Sequence, residues 1–386
     1  MNKINKILLE YVWIDACGNT RSKIKIIRKQ HSEINLGMIP EWNFDGSSTG
    51  QAEGTNSDII IKPCAIYTNP FFDYIEAYLV LSECLNKDHT PHETNHRHKL
   101  VEIYSKCVED EPWIGIEQEY VIFERRKELR YICETMSPIN IPYKWEKHDE
   151  PGFGPQGPYY CGVGGGVSMG REISQTHLEM CLKAGLEICG TNAEVMCSQW
   201  EYQIGTGNPI EISDQLWISR YILDKISEKY DCVISFEPKP YVGDWNGSGA
   251  HTNFSTIRMR ESGGLNAIIE GCEKLALAHK KIINLYGNGN EKRLSGKHET
   301  SSINDFSWGI SDRGKSVRIP INVYESGCGY LEDRRPGANM DPYLVSAAIC
   351  DSICLQQIYY TDVKVEVEVD IEAEAEAEAS VEQSLA

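Results

Sequence analysis

Glu111 to Phe123 reads E-P-W-I-G-I-E-Q-E-Y-V-I-F, and its dense run of Trp, Ile, Tyr and Val predicts a strand. On a strand, residues two apart share a face, so Glu117 and Glu119 point the same way. Two carboxylates side by side among so much apolar surface repel, unless one keeps its proton or a cation sits between them. An exposed edge strand that merely carries two Glu is the plain alternative, and the rest of the chain has to decide between the two.

Bulk properties narrow the field. The chain has 386 residues, 41% of them hydrophobic and 25% charged, which suits a soluble globular protein with room for two domains. No apolar run reaches the length of a membrane span, and the first residues lack the apolar stretch of a signal peptide, so the expected compartment is the cytoplasm. Fourteen cysteines without C-x-x-C pairs suggest free thiols in a reducing environment. A formal charge of −19 argues against nucleic acid as partner, although −8 of it lies in the segment from Asp362 onward. That tail, 363–386, alternates acid with Val or Ala, and repulsion together with scant apolar surface marks it as a low-complexity appendage.

Residues 7 to 30 read as a hairpin with its turn at Ala16 to Asn19. About 28 residues from His31 to Asp58 read as a long polar loop studded with aromatics, a length usually reserved for function. Two further strands, D-I-I-I-K-P and A-Y-L-V-L-S-E-C, close a small β domain over 7–88. His89, His92, His96 and His98 follow in a linker whose lack of carboxylate or thiol companions argues against a metal site. Helices are expected at 171–189 with a stop at Gly190, at 213–229, at 265–286, and after the cap Asp341. Strands are expected at A-E-V-M, Q-W-E-Y-Q-I-G, D-C-V-I-S-F-E-P, A-H-T-N-F-S, K-S-V-R-I-P and G-Y-L-E. The fold class is therefore α+β, with a larger domain over 95–360 built on an antiparallel sheet flanked by helices. Gly309 to Ser316 fits a phosphate-loop pattern in letters, but a β-like run follows where that motif needs a helix.

Glu194, Glu201, His251 and Glu332 lie on strand-like segments bordered by glycine and join Glu117 and Glu119 as five carboxylates and one imidazole. Oxygen-rich ligand sets select Mg2+ or Mn2+ over zinc, and two such ions suit phosphoryl transfer. Arg293, Arg313, Arg318 and Arg334 are candidate forks for phosphate or carboxylate.

Seven long stretches then resemble the glutamine synthetases of the shorter, eukaryotic-like type. They are Pro40–Asp58, Gly115–Tyr120, Gly154–Gly164, Gly190–Gly205, Trp245–Thr256, Arg293–Gly309 and Gly329–Tyr343, in family order. The resemblance implies a β-grasp domain before a catalytic domain, and a ring homo-oligomer, typically of ten subunits, with each active site between neighbours. It implies one metal on Glu119, Glu194 and Glu201 and a second on Glu117, His251 and Glu332. ATP would meet Trp113, Glu201, Asn253, Ser255, Arg313, Arg318 and Tyr330. Glutamate would meet Trp245, Asn246, Gly247, His251, Arg293, Arg313 and Arg334. Asp45, helped by Ser48, would take a proton from ammonium, and Glu299 would close as a flap over γ-glutamyl phosphate. A γ-glutamyl-amine ligase taking a larger amine, or a non-catalytic relative, are the rival expectations. Cys197 stands where the family usually has proline.

Overall fold

The computed structural model describes residues 5–29, 34–125, 157–241, 243–355 and 368–369. Its first sheet has five strands: β1 (Lys6–Ile14), β2 (Thr20–Arg28), β3 (Trp42–Asp45), β4 (Asp58–Thr68) and β5 (Glu76–Leu85), in the order β2-β1-β5-β4-β3. The predicted hairpin is present, with Lys6 opposite Arg28 and Ile14 opposite Thr20, while β1 and β5 run parallel. The stretch expected to be a plain loop instead contains β3, paired with β4 from Trp42–Ile61 to Asp45–Asp58. Trp42 and Phe44 turn inward while Asn43 and Asp45 stay exposed. This period of two was hidden by the turn formers on either side.

The second sheet is organised on β6 (Trp113–Glu124). Its partners are β7 (Ile188–Ala193), β8 (Gln199–Gly207), β9 (Cys232–Ser235), β10 (Ala250–Ser255), β11 (Ser307–Ile310), β12 (Val317–Ile319), β13 (Leu331–Asp333) and β14 (Glu368–Val369). The order is β14-β11-β12-β13-β10-β6-β8-β7. One edge of β6 meets β8, and the other meets β10 at 113–118 and then β9 at 121–124, all antiparallel. The phosphate-loop lookalike lies between β11 and β12, two parallel strands, and so has no helix after it. Of the tail expectation, only Glu368–Val369 falls within the described residues, as an extended pair beside Ser307 and Trp308.

Seven α-helices lie among the described residues: α1 (His96–Cys107), α2 (Arg171–Ala184), α3 (Pro209–Tyr230), α4 (Ile257–Arg260), α5 (Leu265–Ile282), α6 (Ile321–Ser326) and α7 (Pro342–Cys350). Three boundaries have a clear chemical cause. α3 starts where Asn208 Oδ1 accepts from the amides of Ile210 and Glu211, with Pro209 in the first turn. α7 starts where Asp341 accepts from Tyr343 N. α2 is shorter than expected. Gly185, at φ 82°, closes it by donating to Cys181 O and Leu182 O, and Ile188 onward is strand. The expected strand A-E-V-M is also displaced: Ala193 ends β7, and Glu194 to Ser198 form the turn into β8, with Ser198 at φ 58°.

The two faces of β6 have opposite chemistry. Ile114, Ile116, Tyr120 and Ile122 are buried in the main core with residues of α1, α2, α3, α5 and α7. Gln118 is the polar member of that face, and its Oε1 accepts from Arg220 Nε and Nη2 at 3.0 and 2.6 Å. Arg220 also donates to Met340 O and Ala338 O, so a buried arginine on α3 fixes both β6 and the segment entering α7. Glu10 of β1 ties the first sheet to α3 by accepting from Tyr221 Oη, Lys225 Nζ and Asn69 Nδ2. The odd-numbered residues of β6 are thereby presented on a rigid floor.

Candidate active site

Strand register converts six scattered ligand candidates into two groups. Glu119 lies opposite Glu201 across β6 and β8, and Glu201 opposite Asn192 of β7. Glu117 lies opposite His251 of β10, Asn253 opposite Glu332 of β13, and Glu332 opposite Arg318 of β12. The result is two triads, Glu119–Glu194–Glu201 and Glu117–His251–Glu332, each offering ligand atoms within 4.8 Å of one another.

The first triad is electrostatically unbalanced. Burial, reinforced by Glu119, pushes the Glu194 carboxyl up to about 8 and the Glu201 carboxyl up to about 9. Burial also raises Glu119, against the pull of Arg293. Three acids at this depth favour protons or a cation, so the donor set fits a hard divalent ion. Neighbours fix their directions. Gly249 N donates to Glu119 Oε2 at 2.6 Å, Asn192 Nδ2 to Glu194 Oε1 at 2.9 Å, and the Gln203 amide to both Glu201 and Asn192 Oδ1.

In the second triad, His251 Nδ1 lies 3.5 Å from Glu117 Oε2 and 3.6 Å from Glu332 Oε1. Burial, followed by the charge of Arg334, pushes this imidazole well below its ordinary value, so it is neutral and suited to ligation. Its Nε2 faces Arg293 Nη2 at 3.1 Å. Glu332 is buried and binds two arginines: Arg334 Nη1 donates to Oε1 at 2.7 Å, and Arg318 Nε makes an ion contact with Oε2 at 2.7 Å without hydrogen-bond directionality.

The family model for the glutamine synthetase catalytic domain matches residues 97–383. Curated glutamine synthetases of Debaryomyces hansenii and Saccharomyces cerevisiae are 47% and 46% identical over 354 residues, covering 92% of this chain and 91% of theirs. The chain belongs to the glutamine synthetase family. A cryo-EM structure of Plasmodium falciparum glutamine synthetase shares the fold at a TM-score of 0.66 with 19% identity, over 91% of this chain and 72% of that one.

The remaining residues implied by the resemblance fall around the triads to different degrees. Asn253 Nδ2 donates to Glu117 Oε1 at 2.8 Å, and half-buried Tyr330 is raised by burial and by Glu117 and Glu332. Trp113, 44% exposed, lies under the Arg260 guanidinium at 3.9 Å, and Arg260 also donates to Ser255 Oγ at 3.0 Å. Arg313 is exposed in the β11–β12 turn, and its carbonyl accepts from Arg334 Nε. Buried Arg293 passes beside Gly247 and Gly249. Gln199 donates to Gly247 O, while the Trp245 ring leans on Tyr241 with centroids 5.2 Å apart and Asn246 is buried. Glu299 is exposed at φ 60°; its carbonyl accepts from Arg334 Nη2, and its charge reaches Glu194. Asp45 ends β3 of the first sheet and Ser48 lies in the turn after it. The Asp45 carboxylate is on the surface, bound by Ser47, Ser48 and Ser57 of its own loop, which hold it down at about 2.

Sequence reading missed Asn192, Gln203 and Arg260. Gln203 had a signal: Gln199, Glu201 and Gln203 alternate along β8 and so share one face.

Proposed function

We propose that this chain joins ammonia to the γ-carboxylate of L-glutamate, using ATP to form γ-glutamyl phosphate. The observation that carries the reading is the pair of triads lying side by side on one sheet face, with arginines at their rim. Glu119, Glu194 and Glu201 would hold one divalent cation and Glu117, His251 and Glu332 a second, magnesium or manganese by the oxygen-rich donor set. Bound there, such ions offset the charge on phosphate oxygens during transfer.

The chain's own groups do the rest. Arg293 and Arg334 would grip the glutamate carboxylates while Trp245, Asn246 and Gly247 hold its amino end; Arg313 would reach both substrates. Arg318, Asn253, Ser255 and Tyr330 would align the phosphates and ribose, with Trp113 beside the base. A γ-carboxylate oxygen attacks the terminal phosphorus of ATP as the bond to ADP breaks. The partner subunit's Asp45, supported by Ser48, then takes a proton from ammonium. Held at about 2 by serine hydrogen bonds, the carboxylate is anionic at neutral pH and attracts that cation, and those bonds must loosen for it to accept the proton. Ammonia attacks the acyl carbon and phosphate leaves, while Glu299 keeps water out.

An exposed Asp45, bound by serines of its own loop, supports a ring in which neighbours complete each site, with ten subunits as the proposed count. The proposed organisation is a β-grasp unit at 7–88, a catalytic unit at 95–360 and the acidic tail. All cysteines among the described residues are free thiols, which supports the cytoplasm as compartment. No described helix is long and apolar enough to cross a membrane.

The test is phosphate release by purified protein with magnesium, ATP and glutamate. Release is expected only when ammonium is added. Equal release with putrescine would point to a γ-glutamyl-amine ligase, and none with any amine to a non-catalytic relative.

A further inference from the structure

The two loops that would enclose glutamate are fastened to each other by side chains that take no part in the chemistry above. One loop, 243–247, carries Trp245, Asn246 and Gly247; the other, 295–302, carries Glu299. His298 Nε2 lies 2.7 Å from Asp244 Oδ1 and joins them. His298 and Glu299 both have left-handed backbone, at φ 55° and 60°, a conformation that non-glycine residues keep when surrounding contacts enforce it.

Those contacts fall into two sets. Ser295 bridges Ser302 at the stem, Thr300 Oγ1 donates to Arg293 O and Lys297 O, and Arg334 Nη2 reaches Glu299 O. These hold the flap to its own base and to the arginine clamp. The Asp244–His298 contact runs to the opposite loop. That loop is itself anchored, since Lys239 Nζ donates to Trp245 O and the Trp245 ring packs on Tyr241. The His298 side chain is 20% exposed and that of Asp244 81%, so the contact sits at the mouth, where it can part and reform.

We propose that Asp244 and His298 form a latch that sets how often the Glu299 flap opens, and so how much γ-glutamyl phosphate is lost to water. In the loss, water attacks the acyl carbon and the bond to phosphate breaks. Glutamate and phosphate leave, and one ATP is consumed with no glutamine formed. The latch rests on the reading of Glu299 as the flap. Asp244 and His298 are positioning residues, and an exposed pair of this kind changes opening by at most about fivefold.

Hydrogen exchange of the 296–301 amides tests it in the full chain. Asp244→Ala and His298→Ala should each speed exchange roughly two- to fivefold. The double variant should be no faster than the faster single, and Asp244→Asn, which keeps Oδ1 as acceptor, should restore part of the protection. Phosphate released per glutamine should rise in the alanine variants while the KM for ATP stays put. Unchanged exchange in both singles, or independent effects in the double, would overturn the latch. Faster exchange with an unchanged phosphate ratio would overturn its link to water loss. Exchange reads the latch even in a chain that makes no glutamine, so a wild type lacking that activity overturns the proposed function separately.

Discussion

Glu332→Gln is expected to lower kcat/KM for glutamine formation by about a hundredfold or more and to destabilise the protein by roughly 3 kcal/mol. Glu332 is 2% exposed and contacts Arg334 and Arg318 at 2.7 Å each. Gln keeps the shape and removes the charge. Two guanidiniums, with side chains only 10% and 20% exposed, are then left in low-dielectric surroundings without their counter-ion. One proposed metal ligand of the second triad is lost at the same time. Steady-state assay and urea unfolding measure the two effects, and wild-type values in both would remove Glu332 from the account. Activity lost without a change in stability would mean that the arginines find other partners.

The second large effect comes from a methyl group. Gly249→Ala would place a Cβ 2.4 Å from Arg293 Nη2 and 3.0 Å from His251 Nε2. Gly249 N also donates to Glu119 Oε2, so displacement would reach both triads at once. Arg293 is buried and donates to Arg335 O and Arg334 O, so its retreat would break these contacts. Overpacking of this kind costs about 1–3 kcal/mol. Loss of a charge-assisted contact to the substrate should raise the KM for glutamate about ten- to a hundredfold. Initial rates across a glutamate series decide the matter, and an unchanged KM would show that Arg293 does not touch glutamate.

These two residues mark what could be read in advance and what could not. The strand character of Glu111 to Phe123 was legible in its dense run of Trp, Ile, Tyr and Val. The grouping of the six ligands into triads was not, since it depends on Glu119 meeting Glu201 and Glu117 meeting His251 across strands. The resemblance supplied that grouping. Residues 188–193 gave no strand signal because I-C-G-T-N-A pairs through polar neighbours. Gly190 looked like a helix stop, yet it is in a strand where a Cβ would lie 2.8 Å from Gln203 Oε1. The actual stop is Gly185, whose left-handed backbone and donation to Cys181 O and Leu182 O set it apart from Gly190 in its strand. Arg318 and Arg334 were legible as anion binders, but that Glu332 takes both was not, because it meets Arg318 only through the register of β12 on β13, while Arg334 folds back from two residues further along.

Manganese titration followed by electron paramagnetic resonance, at pH 6 and pH 8.5, tests the triads most directly. The account predicts two ions per chain, with tighter binding at the higher pH. At pH 6 an ion entering the first triad must displace protons from carboxyls held at about 8 and 9, and near pH 8.5 much of that competition is gone. One ion or none per chain, or an affinity indifferent to pH, would contradict it.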